Sequence, residues 1–134
     1  MILSGQRYRY RVAARNKHGW GVYSYIADIL AAVVPDAPLT VTTEQNGLYS
    51  LFTWVTPAGN GSDIESYDIE IQGDSGSYAQ SVTCTGSDPS LTTCSVAYSE
   101  LRSTTFGLIL GETILVRVRA ENEIDFGTYS VLND

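Results

Sequence analysis

Polar and apolar residues alternate with a period of two near both ends of the chain. Close to the N-terminus, Tyr8, Tyr10, Val12 and Ala14 fall on one side of an extended backbone, with Arg9, Arg11, Ala13 and Arg15 on the other. Toward the C-terminus, Ile114, Val116, Val118 and Ala120 oppose Leu115, Arg117, Arg119 and Glu121. Successive side chains of a strand point to opposite faces, so each stretch predicts a half-buried strand. A helix would scatter the arginines around its circumference. The two stretches are also copies of each other. Residues 5–16 match residues 111–122, and Trp20-Gly21-Val22-Tyr23-Ser24 matches Phe126-Gly127-Thr128-Tyr129-Ser130, all at a single offset of 106. A period of that size is one small domain.

Between the copies the pattern predicts further strands. Residues 39–43 form a short one, and Asn46-Gly47 is a hairpin turn because both residues tolerate positive φ. Residues 48–55 return with Phe52 and Trp54 on one face. After a loop at 57–63, residues 64–72 place Tyr67, Ile69 and Ile71 inward and Asp68, Glu70 and Gln72 outward. Residues 77–85 and 94–98 are read as the fourth and fifth strands, and 99–111 as a long corner carrying Leu101, Phe106 and Leu108. Short strands at this spacing, with turns between, predict an all-β, immunoglobulin-like sandwich of seven strands. The segment Val33-Val34-Pro35-Asp36-Ala37-Pro38 reads as a stiff linker. Residues 35–134 are then one full domain, and residues 1–34 are the last two strands of a preceding one. Two isolated strands are marginal in water. The face of Tyr8, Tyr10, Val12 and Ala14 therefore needs a cover, from the rest of its own domain or from another chain by strand complementation.

Composition narrows the function. The chain has 134 residues, 43% of them hydrophobic and 17% charged, with a net charge of −7. That sign excludes general nucleic-acid binding. The charge is uneven: residues 1–34 hold Arg7, Arg9, Arg11, Arg15 and Lys17 against Asp28, a net of +4, and the remainder has three arginines against fourteen acids, a net of −11. The strand pattern accounts for the basic residues without a phosphate ligand. If the third and sixth strands are neighbours, Asp68 and Glu70 face Arg117 and Arg119, and Arg9 and Arg11 would face acids in the missing part of the first domain. The longest apolar stretch, 26–34, is broken by Asp28 and is far shorter than the roughly 18–20 residues a membrane helix needs. No direct membrane insertion is expected.

The residues now resemble the fibronectin type III family. Its pattern has a tryptophan ending the second strand, a nearby proline, a glycine-containing loop, and an isoleucine and a tyrosine opening the third strand, here Trp54, Pro57, Gly61, Ile64 and Tyr67. Its sixth-strand pattern is met in the first copy by Gly5, Tyr8, Arg11, Val12, Ala14 and Asn16. The second copy meets it except at the tyrosine corner, where Ile114 replaces the residue whose hydroxyl bonds backbone. Trp54, Tyr67 and Tyr8 are the core signature that the resemblance implies. The extended corner and the pair Cys84 and Cys94 are unlike the family pattern, and look like type III-like repeats of very large protist surface proteins.

Candidate chemistry is sparse. Cys84 and Cys94 sit near the ends of consecutive strands joined by a polar turn, which suits a disulfide and an oxidising compartment; the alternative is two free thiols in the cytosol. Two thiols without a nearby histidine do not make a zinc site. Asn60-Gly61-Ser62 is an N-glycosylation acceptor in an exposed loop, or a plain turn. Gly73-Asp74-Ser75-Gly76 looks like a protease nucleophile segment, and Gln72-Gly73-Asp74-Ser75 like an integrin-binding loop. The first lacks a histidine base beside the serine and the second lacks its arginine, so a turn is the reading. His18 is a lone loop histidine. Trp20 and Phe126 occupy equivalent positions, as caps over the sandwich end or as interface aromatics. No cofactor is expected, and no catalytic residue. The function that follows is a non-catalytic structural or adhesion module of a large extracellular chain or fibre. Its partners would be neighbouring domains, other chains of an assembly, or glycans. The alternatives are an accessory module of a secreted carbohydrate-active enzyme and an ectodomain repeat of a receptor.

Overall fold

The computed structural model describes residues 1–133; Asp134, the last residue of the expected second domain, lies outside the described residues. Ten strands and one short helix follow in order: β1 Arg7–Tyr10, β2 Arg15–Asn16, β3 Gly19–Trp20, β4 Ala27–Leu30, β5 Leu39–Asn46, β6 Tyr49–Val55, β7 Ile64–Gln72, β8 Tyr78–Gln80, β9 Thr93–Ala97, α1 Tyr98–Leu101 and β10 Val116–Asn122. From residue 35 onward they make an immunoglobulin-like sandwich. One sheet has the order β5-β6-β9 and the other β10-β7-β8, with all pairs antiparallel. Residues 126–133 run along the open edge of β10 as a seventh, irregular strand: Gly127 N–H donates to the Ala120 carbonyl and Ser130 N–H to the Val118 carbonyl. Residues 1–34 form a two-stranded pair of β1 with β4, closed by the β2–β3 hairpin.

The core lies where the inward residues of the two sheets meet. Phe52 and Trp54 of β6 and Val96 of β9 face Tyr67, Ile69 and Ile71 of β7 and Val116, Val118 and Ala120 of β10. Trp54 and Tyr67 meet edge to face, with centroids 5.2 Å apart. Leu101, Phe106 and Leu108 of the corner close the core at one end. Cys84 and Cys94 are joined by a disulfide, with Cα atoms 5.5 Å apart, and close one flank beside Trp54.

Several element bounds differ from the sequence pattern. β5 continues to Asn46, past the expected residue 43, because its far half pairs with β6 down to Asn46 and Tyr49. The expected strand 77–85 survives only as Tyr78–Gln80. Beyond it the chain turns inward onto Glu100, whose carboxylate accepts bonds from the Ser81 hydroxyl (2.7 Å), the Val82 N–H (2.9 Å) and the Thr83 hydroxyl (2.8 Å). The long corner is not irregular throughout; it opens with the single turn of α1.

The tyrosine corner is the most informative departure. In the first copy the Tyr8 hydroxyl accepts the Leu3 N–H at 2.7 Å. In the second copy the equivalent N–H, that of Ile109, goes to a carboxylate oxygen of Glu112, also at 2.7 Å. The backbone turn is kept, with Gln6 N–H on the Leu3 carbonyl in one copy and Glu112 N–H on the Ile109 carbonyl in the other. An acidic side chain therefore takes over the acceptor role lost at Ile114. Replacing Glu112 by alanine should cost about 1 kcal/mol, a fall in Tm of roughly 4–8 °C. Adding Ile114→Tyr in that background should recover most of the loss. Thermal melts showing no recovery would mean that the two acceptors are not equivalent.

Candidate functional site

Two features outside the core concentrate the polar side chains: a stack on the outer face of the β10-β7-β8 sheet, and the junction between the two copies. The stack follows from the β7–β10 register, in which Arg117 lies opposite Glu70 and Arg119 opposite Asp68. The nearest ring centroids lie 3.7 Å (Tyr78) and 4.1 Å (Tyr129) from the Arg117 guanidinium, and 4.4 Å (Phe126) and 4.5 Å (Tyr129) from that of Arg119. Phe126, Arg119, Tyr129, Arg117 and Tyr78 thus form one alternating column of rings and cations. The acids neutralise it from the side: each arginine donates through Nε at 2.8 Å, Arg117 to Glu70 and Arg119 to Asp68. Asp68 also accepts from Tyr129 Oη (2.7 Å) and Gln80 Nε2 (2.6 Å). Phe126 is thereby placed against Arg119 as the end of this column.

The column sets ionisation as well as shape. Burial pushes the Asp68 carboxyl up, but the bonds from Tyr129, Gln80 and Arg119 outweigh it and hold the group below its free value of 3.8. Glu100 is likewise held below its free value of 4.5: burial raises it, and the Ser81, Thr83 and Val82 bonds bring it down further. Burial and the adjacent Asp68 both push the Tyr129 hydroxyl upward. Burial works against the charge on Arg117, and Glu70 more than restores it.

The first copy carries a partial version of the column. Arg11 stacks on Tyr23 at 3.9 Å, at the position equivalent to Arg117 on Tyr129, and Arg15 sits 5.7 Å from the ring of Trp20. Trp20 itself is 69% exposed. The acids expected to face Arg9 and Arg11 belong to the missing part of the first domain and lie outside the described residues. Arg9 bonds Asp28 within its own hairpin at 3.0 Å, because Asp28 is its direct register partner.

At the junction the linker is sewn to the second sandwich. The Asn122 side chain, buried at the end of β10, donates to the Val33 and Gly59 carbonyls, both at 2.8 Å. The Asn60 amide donates to the Val34 carbonyl (3.0 Å) and to Asp36 (2.9 Å), and Val33 N–H returns a bond to the Asn60 carbonyl. Asn60 adopts φ 54, a left-handed conformation that asparagine tolerates better than most residues. Gly61 is pressed against the preceding copy. A Cβ there would lie 2.6 Å from Ser4 Oγ and 2.8 Å from the Ala31 carbonyl. Arg7 and Glu123 form an ion pair across the gap. Both amide hydrogens of Asn60 are therefore engaged, and a glycan on that nitrogen would have to break one of the two bonds.

Other sequence candidates stay apart. His18 is exposed in the β2–β3 turn, far along the chain from Gly73-Asp74-Ser75-Gly76, itself a turn closed by Gly76 N–H on the Gly73 carbonyl. Among the described residues no three His, Cys, Asp or Glu side chains are grouped to hold a metal. Among the same residues no helix is long and apolar enough to cross a membrane. The roles of Asn60, Asn122 and Glu112 are not legible in the sequence: Asn60 reads as a glycosylation acceptor, Asn122 as the end of a strand, and Glu112 as an ordinary exposed glutamate.

No family model matches the chain. A fibronectin type-III domain-containing protein 3A of Pongo abelii is 34% identical over 79 residues, covering 57% of this chain and 7% of that protein. The Homo sapiens protein of the same name is also 34% identical, over 57% of this chain and 6% of that protein. The chain thus spans less than a tenth of the curated relatives it matches. Among solved structures, domains A168-A170 from titin superpose with a TM-score of 0.65 at 21% identity, covering 99% of this chain and 41% of that one. The chicken CNTN1 FN1-FN3 domains do so with a TM-score of 0.55 at 17% identity, covering 98% and 44%. The sandwich is that of fibronectin type III domains.

Two outcomes test the column. Arg117→Glu removes two ring contacts and an ion pair and sets a like charge against Glu70, so it should lower stability by about 2 kcal/mol, read as a Tm fall of roughly 10 °C. An unchanged Tm at low salt would show that the column does not stabilise the fold. The depressed carboxyl groups set the acid limit. Their contribution is complete above the free values of 3.8 and 4.5 and is lost as the pH falls through the lower folded values, since the unfolded chain takes up the protons first. Asp68→Asn should flatten the decline of stability in denaturant titrations below about pH 4, and an unaltered slope would exclude Asp68 as a contributor.

Proposed function

We propose that this fibronectin type III chain is a non-catalytic link in a longer extracellular array of sandwiches, where it sets spacing and stiffness between neighbours. The observation that carries this reading is the sewn junction. Linker backbone, two asparagine side chains, a contact glycine and an ion pair all serve to fix one sandwich against the strands that precede it. The exposed face of the first copy supports the same reading. Tyr10 is 55% and Val12 66% exposed, whereas their repeat equivalents Val116 and Val118 are fully buried in the second sandwich. The cover these residues suit is the equivalent of β5–β9, residues 39–97, supplied by the first domain's own chain. The division into a preceding domain ending at residue 34 and a second at 35–134 belongs to this proposal. The disulfide supports an oxidising, extracellular setting. With one outer face taken up by a charge-neutralised column and one end by a neighbour, the module's partners are other domains of its own chain or assembly.

Mass spectrometry of the native protein tests the reading. The expected result is a peptide pair linked through Cys84 and Cys94, with further sandwich repeats encoded on both sides of this segment. Cysteines reduced throughout the native population would overturn the extracellular assignment. A catalytic domain directly adjoining the segment would replace the array by an accessory module.

A further inference from the structure

The junction implies a second one. The corner of the first copy, residues 3–6, is the part that receives the loop of the next sandwich. Gly5 N–H bonds the Ala31 carbonyl, and the Gly61 loop rests on Ser4 and Gly5. The corner of the second copy, residues 109–112, keeps the turn, with Glu112 in place of the Tyr8 hydroxyl. The turn is closed by the same backbone bond, and the glycine has the same left-handed conformation, φ 78 at Gly5 and φ 94 at Gly111. Nothing covers it. A Cβ on Gly111 would meet no atom within 4 Å, Ile109 is 70% exposed and Leu110 is 81% exposed. A cleft of about 280 Å³ opens beside them, lined by Tyr98, Leu101, Arg102 and Leu108 among others. Where the first corner offers Leu3 and Ser4, the second offers Ile109 and Leu110, a larger apolar surface than a turn in water needs.

We propose that Ile109, Leu110 and Gly111 form the docking seat for a following sandwich. Its occupant is the loop after that domain's second strand, with a glycine where this chain has Gly61. The glycine is required because the corner backbone leaves no room for a Cβ at the equivalent contact. The area is small, and the seat works because the covalent linker holds the loop at high effective concentration. Leu110 makes the second junction more apolar than the first, so it exchanges the polar contact of Ser4 for burial.

This inference rests on the array reading, and its test does not depend on the natural flanking sequence. Asp28 and Asp134 are equivalent in the repeat, so the 134-residue chain can be continued at its own period by a second copy of residues 29–134. In that tandem protein, hydroxyl-radical labelling of Leu110 should fall several-fold relative to the 134-residue chain. Exchange of the Gly111 amide should slow by roughly tenfold or more. Residual dipolar couplings should report one common alignment for the two full sandwiches. Leu110→Asp should restore labelling at Ile109 and separate the alignments while leaving the Tm of the 134-residue chain unchanged; Leu110→Ser, the residue of the first corner, should still dock. Equal labelling of Leu110 in both proteins, with independent alignments, would overturn the seat. Absence of natural repeats downstream would instead count against the array and leave the tandem result standing.

Discussion

The pairing of β7 with β10 is the constraint on which the remaining structure hangs. Its register sends Tyr67, Ile69, Ile71, Val116, Val118 and Ala120 to one side, and Asp68, Glu70, Arg117 and Arg119 to the other. A slip of one residue would put two arginines into the core and three apolar side chains into water, a cost no local turn could offset. The outer face makes the same choice a second time, because Arg117 meets Glu70 and Arg119 meets Asp68 only in this register. Core and surface therefore select one alignment independently, and the sandwich is specified from both faces of a single strand pair.

The sequence carried that pair clearly. The alternation over residues 64–72 reproduces the bounds of β7 without error, and the pairing of Asp68 and Glu70 with Arg119 and Arg117 is read from charge sign and fold topology alone. Where polar side chains replace backbone partners, the pattern is silent. Strand β8 ends early because Glu100, distant in sequence, captures the three residues after it. Glu112 takes the place of a tyrosine hydroxyl, and nothing in periodicity separates it from any exposed glutamate. Asn60 reads as an acceptor motif, whereas its amide is spent on the linker. Each of these depends on a contact between residues that only the assembled fold brings together.

The repeat extends below the level of sequence into individual hydrogen bonds. Gly21 on Ala14 and Ser24 on Val12 recur as Gly127 on Ala120 and Ser130 on Val118. The return bond is also repeated: the Ser24 hydroxyl accepts the Val12 N–H at 3.1 Å, and the Ser130 hydroxyl accepts the Val118 N–H at 3.0 Å. Asn133 continues the series by accepting the Val116 N–H through its side chain. Identical arginine–tyrosine stacks lie beside these bonds, at Arg11 with Tyr23 and Arg117 with Tyr129. The last strand of each sandwich is thus attached partly through hydroxyl and amide groups.

That mode of attachment bears on a hazard particular to chains of similar domains. Neighbours of like sequence are the most effective partners for strand exchange, since every edge matches every other and the tether keeps them close. A regular terminal strand would expose an unbroken row of backbone donors and acceptors to the next repeat. Here the terminal segment is not a regular strand, since the Ser130 and Asn133 side chains supply bonds to β10 in place of peptide groups, and the opposite edge of the same sheet is only the three residues of β8. An array built this way can hold its domains in contact at their ends without allowing them to merge along their sides.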